Sequence, residues 1–212
     1  ASHTDLSASM RARNEFNRMR LDVTAGQYLD IVEENAWPTV DVSEALGRAQ
    51  TVLTYKSAKY SIEAPLVIGA SLAGASPAII DSLRRFAVPL GNAFQLRDDI
   101  LGVFGDPEVT GKPVGDDLSE GKRTVLVGLT RETLSPSVAK VFDEMLTSRH
   151  LDEEQIKSLQ QTIVGSGALA KTERMMEDLA DQALEALSGL DIGESSCEQL
   201  RALALKVIQR DS

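Results

Sequence analysis

The chain has 212 residues, of which 42% are hydrophobic, and a formal net charge of −10 at pH 7. This length and hydrophobic content predict a single domain, residues 1–212, with a core of its own. The negative charge argues against a nucleic-acid backbone or an anionic membrane surface as a general partner. A single cysteine, Cys197, excludes an internal disulfide and favours a cytoplasmic location, and no apolar run is long enough to span a membrane.

The first predicted element is a long helix over residues 10–34. Gln27 and Asp30 are three residues apart, so an amide and a carboxylate share one surface of this helix. Trp37-Pro38 interrupts the pattern, because proline lacks the backbone N–H group that the interior of a helix needs.

A second helix is predicted from Asp41 to about Tyr60, since Asp41-Val42-Ser43-Glu44 resembles a capping box. Lys56 lies on the apolar stripe of this helix. The lysine could extend to the edge of the helix with its ammonium in water, or it could be a functional cation inside a bundle. Its position alone does not decide between the two.

Residues 62–73 predict a buried helix, and Ser76-Pro77 then forms the N-cap and first turn of a longer one. An apolar stripe at helical spacing leads along this longer helix to Asp98. The residues of the stripe are Leu83, Ala87, Leu90 and Phe94. We therefore expect the Asp98 carboxylate to point into the helix bundle rather than into water.

Asp98 and Asp99 are adjacent carboxylates, and a glycine-rich loop over residues 105–122 with Lys112 and Lys122 follows them. A pair of acids by itself is typical of a solvated helix end. A carboxylate that faces an apolar interior needs a cation or hydrogen bonds, because it has lost its hydration. Carboxylate oxygens suit Mg²⁺, which usually binds substrate phosphates as well, and the lysines could bind the same phosphates. The pattern predicts a diphosphate site built from metal and lysine.

The rest of the chain predicts helices and no strands, because period-2 alternation is absent. These helices cover residues 123–131, 137–148, 153–164, 168–189 and 195–210, and Asp152 is a candidate cap. The predicted fold class is therefore all-α, an antiparallel helix bundle with its site between the helices.

Four segments resemble the motifs of the trans-isoprenyl diphosphate synthases, the polyprenyl synthetase family, in the family's own order. Residues 94–112 are similar to the second aspartate-rich motif, and residues 117–124 to the segment that follows it. Residues 26–30 resemble the glycine-glutamine helix, and residues 55–57 the lysine-threonine helix, with serine in place of threonine. The motifs are most similar to those of bacterial geranylgeranyl diphosphate synthases. The resemblance implies an isoprenoid synthase bundle.

The resemblance also implies a metal site for Mg²⁺. Asp98 would bind the metal directly, and Asp99 and Gln95 would order the water molecules around it. Asp30 would add a carboxylate from the opposite side of the metal cluster, supported by Gln27. Asp98, Asp99 and Asp30 are thus the implied metal carboxylates, and the two glutamines act through water.

The implied reaction is a prenyl transfer, in which isopentenyl diphosphate attacks an allylic carbocation formed by loss of diphosphate. The implied catalytic residues are Lys56, Lys112, Lys122, Gln95 and Tyr60. The three lysines would bind and neutralise the leaving diphosphate, and Tyr60 would face the carbocation. Stabilisation of charge as it develops is usually the largest catalytic effect.

Two features depart from the family pattern. Gly102 stands where the family commonly has a third aspartate, and we expect this loss to be tolerated because Asp98 is the main ligand. No first aspartate-rich motif and no basic set for isopentenyl diphosphate are found in the chain. We therefore expect the C-terminal part of a synthase, without its N-terminal helices and inactive alone. The stripe from Leu83 to Phe94 would then be exposed and would favour a homodimer, aggregation or a complex with the missing half.

Two alternatives have other functions. A non-catalytic subunit that regulates a complete synthase would explain the missing motifs, but it has no physical need for acids matched with lysines. A terpene cyclase that ionises a diphosphate is also all-α, but it does not fit the Thr-Gly-Lys and Gly-Lys-Arg-Thr segments. The prenyl diphosphate synthase is the prediction that accounts for all four motifs.

Overall fold

The computed structural model describes residues 5–111, 113–148 and 150–208. Within these ranges the regular structure is helical and no strand occurs, so the all-α prediction is confirmed. None of the described helices combines the length and the hydropathy of a membrane span. The helices are α1 (Leu6–Ala36), α2 (Val42–Leu53), α3 (Ala64–Leu72), α4 (Pro77–Phe104), α5 (Pro107–Thr110), α6 (Asp116–Ser119), α7 (Val125–Thr133), α8 (Pro136–Thr147), α9 (Glu153–Gly165), α10 (Ala168–Ser188) and α11 (Glu194–Ile208).

Two further helical segments connect the first helices. A 3₁₀ turn, Trp37–Thr39, follows α1, where the sequence predicts a break. A π-helical segment, Thr54–Glu63, links α2 to α3, so the second predicted helix is α-helical only up to Leu53. Because π-helical turns are rare and are often found at functional sites, this segment is a candidate site element.

Local sequence signals determine where several helices begin. Pro77 is the first residue of α4, and the Ser76 hydroxyl accepts a hydrogen bond from the backbone N–H of Ile79 at 3.4 Å. A capping box begins α9, in which Asp152 and Gln155 each accept a hydrogen bond from the other's backbone N–H. Caps of this kind satisfy N–H groups that have no partner inside the helix. The caps predicted at Ser76 and Asp152 are confirmed.

The chain divides into two compact units, which are described separately below. Unit 1 is formed by the described residues of 1–28, 53–95 and 176–210, and unit 2 by those of 29–52 and 96–175. The helices α1, α2, α4 and α10 each contribute residues to both units. The division of the chain into one domain or more stays a prediction.

Unit 1 has its core where α4 packs against the last two helices. The buried cluster contains Phe86, Ala87 and Leu90 of α4 with residues of α10 and α11. The expectation that the stripe from Leu83 to Phe94 is exposed is therefore wrong: Leu83 is 6% exposed and Leu90 is fully buried. The two C-terminal helices carry no motif, but their apolar residues cover this stripe. The homodimer stays a prediction, but an exposed stripe on α4 no longer supports it.

The π-helical segment is packed closely at two glycines of unit 1. A Cβ atom added at Gly26 of α1 would lie 2.6 Å from the Cα of Lys56. A Cβ added at Gly91 of α4 would lie 2.7 Å from the Cα of Ala58. Only glycine allows backbones to approach this closely, so these two positions determine where the segment with Lys56 lies. The glycine of the Gly26-Gln27 motif therefore has a packing function.

Replacing Gly26 by alanine is expected to lower the free energy of unfolding by about 1–3 kcal/mol, because the added methyl group would overlap a backbone that cannot move aside. Gly47→Ala in α2 is the matched control, since an added Cβ there meets nothing within 4 Å. We expect that variant to gain up to about 1 kcal/mol, as for glycine to alanine in an open helix position. Urea unfolding followed by circular dichroism measures both. Equal stabilities of the two variants would contradict the close approach of α1 to Lys56.

Unit 2 contains a fully buried tryptophan between charged side chains. The indole Nε1 of Trp37 donates a hydrogen bond to Asp143 at 2.8 Å. The same carboxylate pairs with Arg131 at 3.0 Å, and Arg131 also donates to the backbone carbonyl of Val40 at 3.1 Å. The guanidinium groups of Arg131 and Arg123 lie 5.0 and 5.4 Å from the tryptophan ring. These contacts connect the 3₁₀ turn to α7 and α8.

Candidate functional site

The two adjacent aspartates of α4 have different environments. Asp98 is exposed, whereas the next residue, Asp99, is only 6% exposed. The expectation that Asp98 points into the bundle is therefore wrong, and it is Asp99 that is buried. An exposed carboxylate at this position is open to an ion from solvent.

The reason for this difference is that α4 buries different sides along its length. Its first part, in unit 1, buries Leu83 and Leu90, whereas its last part, in unit 2, buries Leu96, Ile100 and Val103. Asp98 is fifteen residues after Leu83, which places it about 60° away from Leu83 around the helix axis. Helical spacing counted from Leu83 therefore does not identify the side of α4 that is buried at Asp98.

The predicted site residues of unit 1 lie on α1, the π-helical segment and α4. Lys56 is half-buried on the π-helical segment, and the Gly26 contact brings the backbone of the Gly26-Gln27 motif directly against it. The side chain of Gln27 is exposed and that of Gln95 is half-buried. Tyr60 is 54% exposed.

The neighbouring lysine of the π-helical segment is engaged elsewhere. The ammonium of Lys59 lies 3.0 Å from a carboxylate oxygen of Asp22 in α1 and 4.2 Å from the centre of the Tyr55 ring. An ion pair and a cation–π contact of this kind tie the lysine to its own unit. A role for Lys56 in binding substrate stays a prediction.

The predicted site residues of unit 2 are Asp30, Asp98, Asp99 and Lys122, while Lys112 lies outside the described residues. Asp30 is half-buried near the end of α1. Lys122 follows α6, and its ammonium lies 2.5 Å from Asp117 and 3.0 Å from Glu120. The lysine that the resemblance assigns to diphosphate is thus held by two carboxylates.

These carboxylates also raise the pKa of Lys122. Burial alone would lower it, because the charged ammonium loses hydration, but the hydrogen bond and attraction of Asp117, and then those of Glu120, outweigh this effect. The pKa of Lys122 therefore lies above its usual value, and the ammonium is protonated at neutral pH. It can act as a fixed positive charge but not as a base.

A third acidic residue completes a cluster that the sequence analysis did not assign to the site. Carboxylate oxygens of Asp116, Asp117 and Glu120 lie within 4.8 Å of one another, close enough to hold a metal ion. The three belong to the segment 115–122. Their spacing in the sequence is a signal for such a cluster, since positions 116, 117 and 120 share one face of a short helix. Their importance was missed because only the lysine of this segment was assigned a function.

Gly102 is in contact with this cluster. A Cβ atom added at position 102 would lie 2.9 Å from Oδ1 of Asp117, and closer still to the other carboxylate oxygen and Cγ. Asp117 itself is 5% exposed. The residue that departs from the family's aspartate-rich motif is therefore the one that makes room for a different aspartate.

The donor set of unit 2 fits a hard divalent cation. It consists of the carboxylates of Asp116, Asp117 and Glu120, on and directly after α6. Oxygen ligands of this type suit Mg²⁺ and Ca²⁺. Among the described residues, this cluster contains no cysteine or histidine, the ligands that would favour a softer metal.

Sequence comparisons identify similar proteins over most of the chain. The sequence model of the Polyprenyl synthetase family matches residues 2–163. The geranylfarnesyl diphosphate synthase of Aeropyrum pernix is 34% identical over 198 residues, which cover 93% of this chain and 59% of that protein. The geranylgeranyl diphosphate synthase of Mycobacterium tuberculosis is 33% identical over 187 residues, which cover 87% of this chain and 51% of that protein. The predicted resemblance is confirmed.

Solved structures agree with the sequence matches. The geranylgeranyl pyrophosphate synthase of Corynebacterium glutamicum, complexed with isoprenyl diphosphate and magnesium, has a TM-score of 0.89 and 39% identity. It matches 98% of this chain, which covers 57% of that protein. The polyprenyl synthase of Caulobacter crescentus, complexed with calcium and isoprenyl diphosphate, has a TM-score of 0.84 and 29% identity over 97% of this chain and 61% of its own. The chain thus spans between 51% and 61% of the length of these four proteins.

Proposed function

The chain belongs to the polyprenyl synthetase family, and from this premise we propose that it carries part of a prenyltransferase site. The proposed reaction joins isopentenyl diphosphate to an allylic diphosphate and yields a longer polyprenyl diphosphate such as geranylgeranyl diphosphate. The observation that carries the proposal is the match, over 98% of this chain, to a synthase whose structure contains isoprenyl diphosphate and magnesium.

The proposed reaction begins when the C–O bond of the allylic diphosphate breaks and diphosphate leaves with the electron pair. The double bond of isopentenyl diphosphate then forms a C–C bond to the allylic carbon, and loss of a proton restores a double bond. Lys56, Lys112 and Lys122 bind the leaving diphosphate, where fixed positive charge stabilises the negative charge that develops. Tyr60 faces the allylic group.

Asp98, Asp99 and Asp30 are the proposed carboxylates for Mg²⁺, with Gln95 and Gln27 acting through water. When bound, the ion would supply positive charge that offsets the charge of the leaving diphosphate. Exposure of Asp98 supports the role of direct ligand, because the carboxylate can be reached by a hydrated ion carried in with the substrate. Burial of Asp99 supports a role in which it orients neighbouring groups.

The proposal is tested with the 212-residue chain and with a chimaera that adds the part of the Corynebacterium protein which this chain does not match. Both are assayed with Mg²⁺, isopentenyl diphosphate and labelled allylic diphosphates. We expect turnover of about 1 s⁻¹ or more from the chimaera, as for ordinary enzymes, and none from the chain alone.

Three outcomes separate the alternatives. A chimaera that folds and binds Mg²⁺ and diphosphate but forms no product would contradict the proposed reaction. Increased activity of a complete synthase in the presence of the bare chain, without turnover by the chimaera, would favour the regulatory subunit. Turnover by the bare chain near 1 s⁻¹, an ordinary enzyme rate, would contradict the argument that two aspartate-rich motifs are needed.

A further inference from the structure

We propose that Asp117 is a positioning residue, which holds the ammonium of Lys122 beside the surface of α4 that carries Asp98. Gly102 provides the space that this arrangement needs. The inference rests on the proposed function, in which Lys122 binds the leaving diphosphate.

The geometry of α4 places the Asp117 carboxylate near Asp98. Residues four apart are neighbours on a helix surface, so Asp98 and Gly102 lie one above the other. The Cα–Cβ bond of a helical residue tilts toward the N-terminus of the helix, that is, from position 102 toward position 98. The Asp117 carboxylate occupies the place of that missing Cβ. It therefore lies over the turn of α4 that begins at Asp98.

The difference in exposure explains why Asp117, and not Glu120, determines the position of the Lys122 ammonium. A carboxylate that is 5% exposed has lost most of its hydration, and Lys122 offsets that loss at 2.5 Å. The side chain of Glu120 is 54% exposed, so solvent weakens its attraction for the same ammonium. Lysine has four flexible side-chain bonds, and a buried partner is what restricts them to one position.

Gly102 is required because a side chain at this position and the Asp117 carboxylate exclude each other. The atoms of Asp117 that an added Cβ would meet are Cγ and the two carboxylate oxygens, and its own Cβ is not among the three nearest. Shortening Asp117 to alanine removes all three atoms. An aspartate at position 102 should then fit and should supply a carboxylate to Lys122 from α4 instead.

The first measurement follows the Lys122 ammonium directly in the 212-residue chain. The ¹⁵N-labelled ammonium gives a proton–nitrogen correlation when an ion pair slows its exchange, and Lys122→Arg identifies the signal. We expect Gly102→Ala and Asp117→Asn to broaden or shift it, and Gly47→Ala, whose added Cβ meets nothing, to leave it unchanged. Asp117→Asn adds no non-hydrogen atom, so it keeps the test valid if Gly102→Ala folds poorly.

The second measurement is the affinity for inorganic diphosphate in the presence of Mg²⁺, by calorimetry. Gly102→Ala and Asp117→Asn are each expected to weaken binding about 10–100-fold, as loss of a positioning partner commonly does. The exchange variant Gly102→Asp with Asp117→Ala is expected to bind more tightly than Gly102→Asp alone and to recover the Lys122 signal. If Asp117 only stabilised the fold, moving the carboxylate to position 102 would not restore diphosphate binding or the Lys122 signal.

An unchanged Lys122 signal in both single variants would overturn the inference, and so would an exchange variant no better than Gly102→Asp. If the parent chain fails to bind Mg²⁺ and diphosphate, the proposed function loses its lysine site, yet loss and rescue of the Lys122 signal would still support positioning by Asp117. The two failures are therefore distinguishable.

Discussion

Replacement of Asp98 by asparagine is expected to lower kcat/KM for prenyl transfer by about 10²–10³-fold in the chimaera, the size of effect seen when one main electrostatic group is removed from a transition state. Asparagine keeps the shape of the side chain but removes the negative charge that a direct Mg²⁺ ligand needs. Because Asp98 is exposed, its loss should leave the fold and the free energy of unfolding nearly unchanged.

Asp99→Asn is the matched control, since it makes the same chemical change one residue later in the same helix. Asp99 is 6% exposed, and a buried group whose hydrogen-bonding changes costs about 1–3 kcal/mol of stability. We expect this variant to lose stability and to lose about 10–100-fold in turnover, as for groups that act through water. Small and equal losses of turnover in the two variants would mean that neither carboxylate approaches a catalytic metal. Urea unfolding measures the loss of stability, and steady-state kinetics measure the loss of turnover.

Trp37→Ala is expected to lower the free energy of unfolding by about 3–5 kcal/mol, the usual range for removal of a buried aromatic side chain. The tryptophan is fully buried, and the guanidinium groups of two buried arginines lie 5.0 and 5.4 Å from its ring. Burial lowers the pKa of Arg123, and the nearby charge of Arg131 lowers it further, while Asp143 opposes the change. Loss of the ring would remove a favourable cation–π contact from both arginines and leave a cavity beside two like charges.

Trp37→Phe separates the ring from its N–H group. Phenylalanine keeps an aromatic face for the arginines but cannot donate to Asp143, which still pairs with Arg131 at 3.0 Å. We expect a loss of about 1–2 kcal/mol, which is close to that of a single hydrogen bond with imperfect packing. A Trp37→Phe variant as unstable as Trp37→Ala would show that the hydrogen bond to Asp143, and not the ring, stabilises this part of unit 2.

The departure at Gly102 has a physical explanation that the family pattern does not contain. A third aspartate at this position would be forced against the carboxylate of Asp117, which is buried and paired with Lys122. Two carboxylates in one place repel each other, and the added Cβ would overlap atoms already there. The expectation that the missing aspartate is tolerated therefore involves Asp117 as well as Asp98.

The helical class, the helix starts at Ser76 and Asp152, and the family can all be predicted from the sequence alone. These features depend on residues close together in the chain. A cap is a contact between side chain and backbone three residues apart, and a motif is a fixed spacing within one or two elements. The family prediction needed only the order of four such motifs, and for this reason residues 26–124 were sufficient for it.

The three-dimensional structure was needed to show which of the two aspartates is buried, what covers the stripe from Leu83 to Phe94, and why position 102 is glycine. Each of these depends on a partner that is distant in sequence or on a change in the side that a helix buries. Helical spacing relates residues of one helix to each other, but it does not say which other helix they face. The partner of Gly102 is Asp117, and the stripe is covered by α10 and α11, more than 80 residues further along the chain. Such contacts depend on how whole helices pack together. The burial of any one apolar residue contributes only a small part of the free energy of that packing.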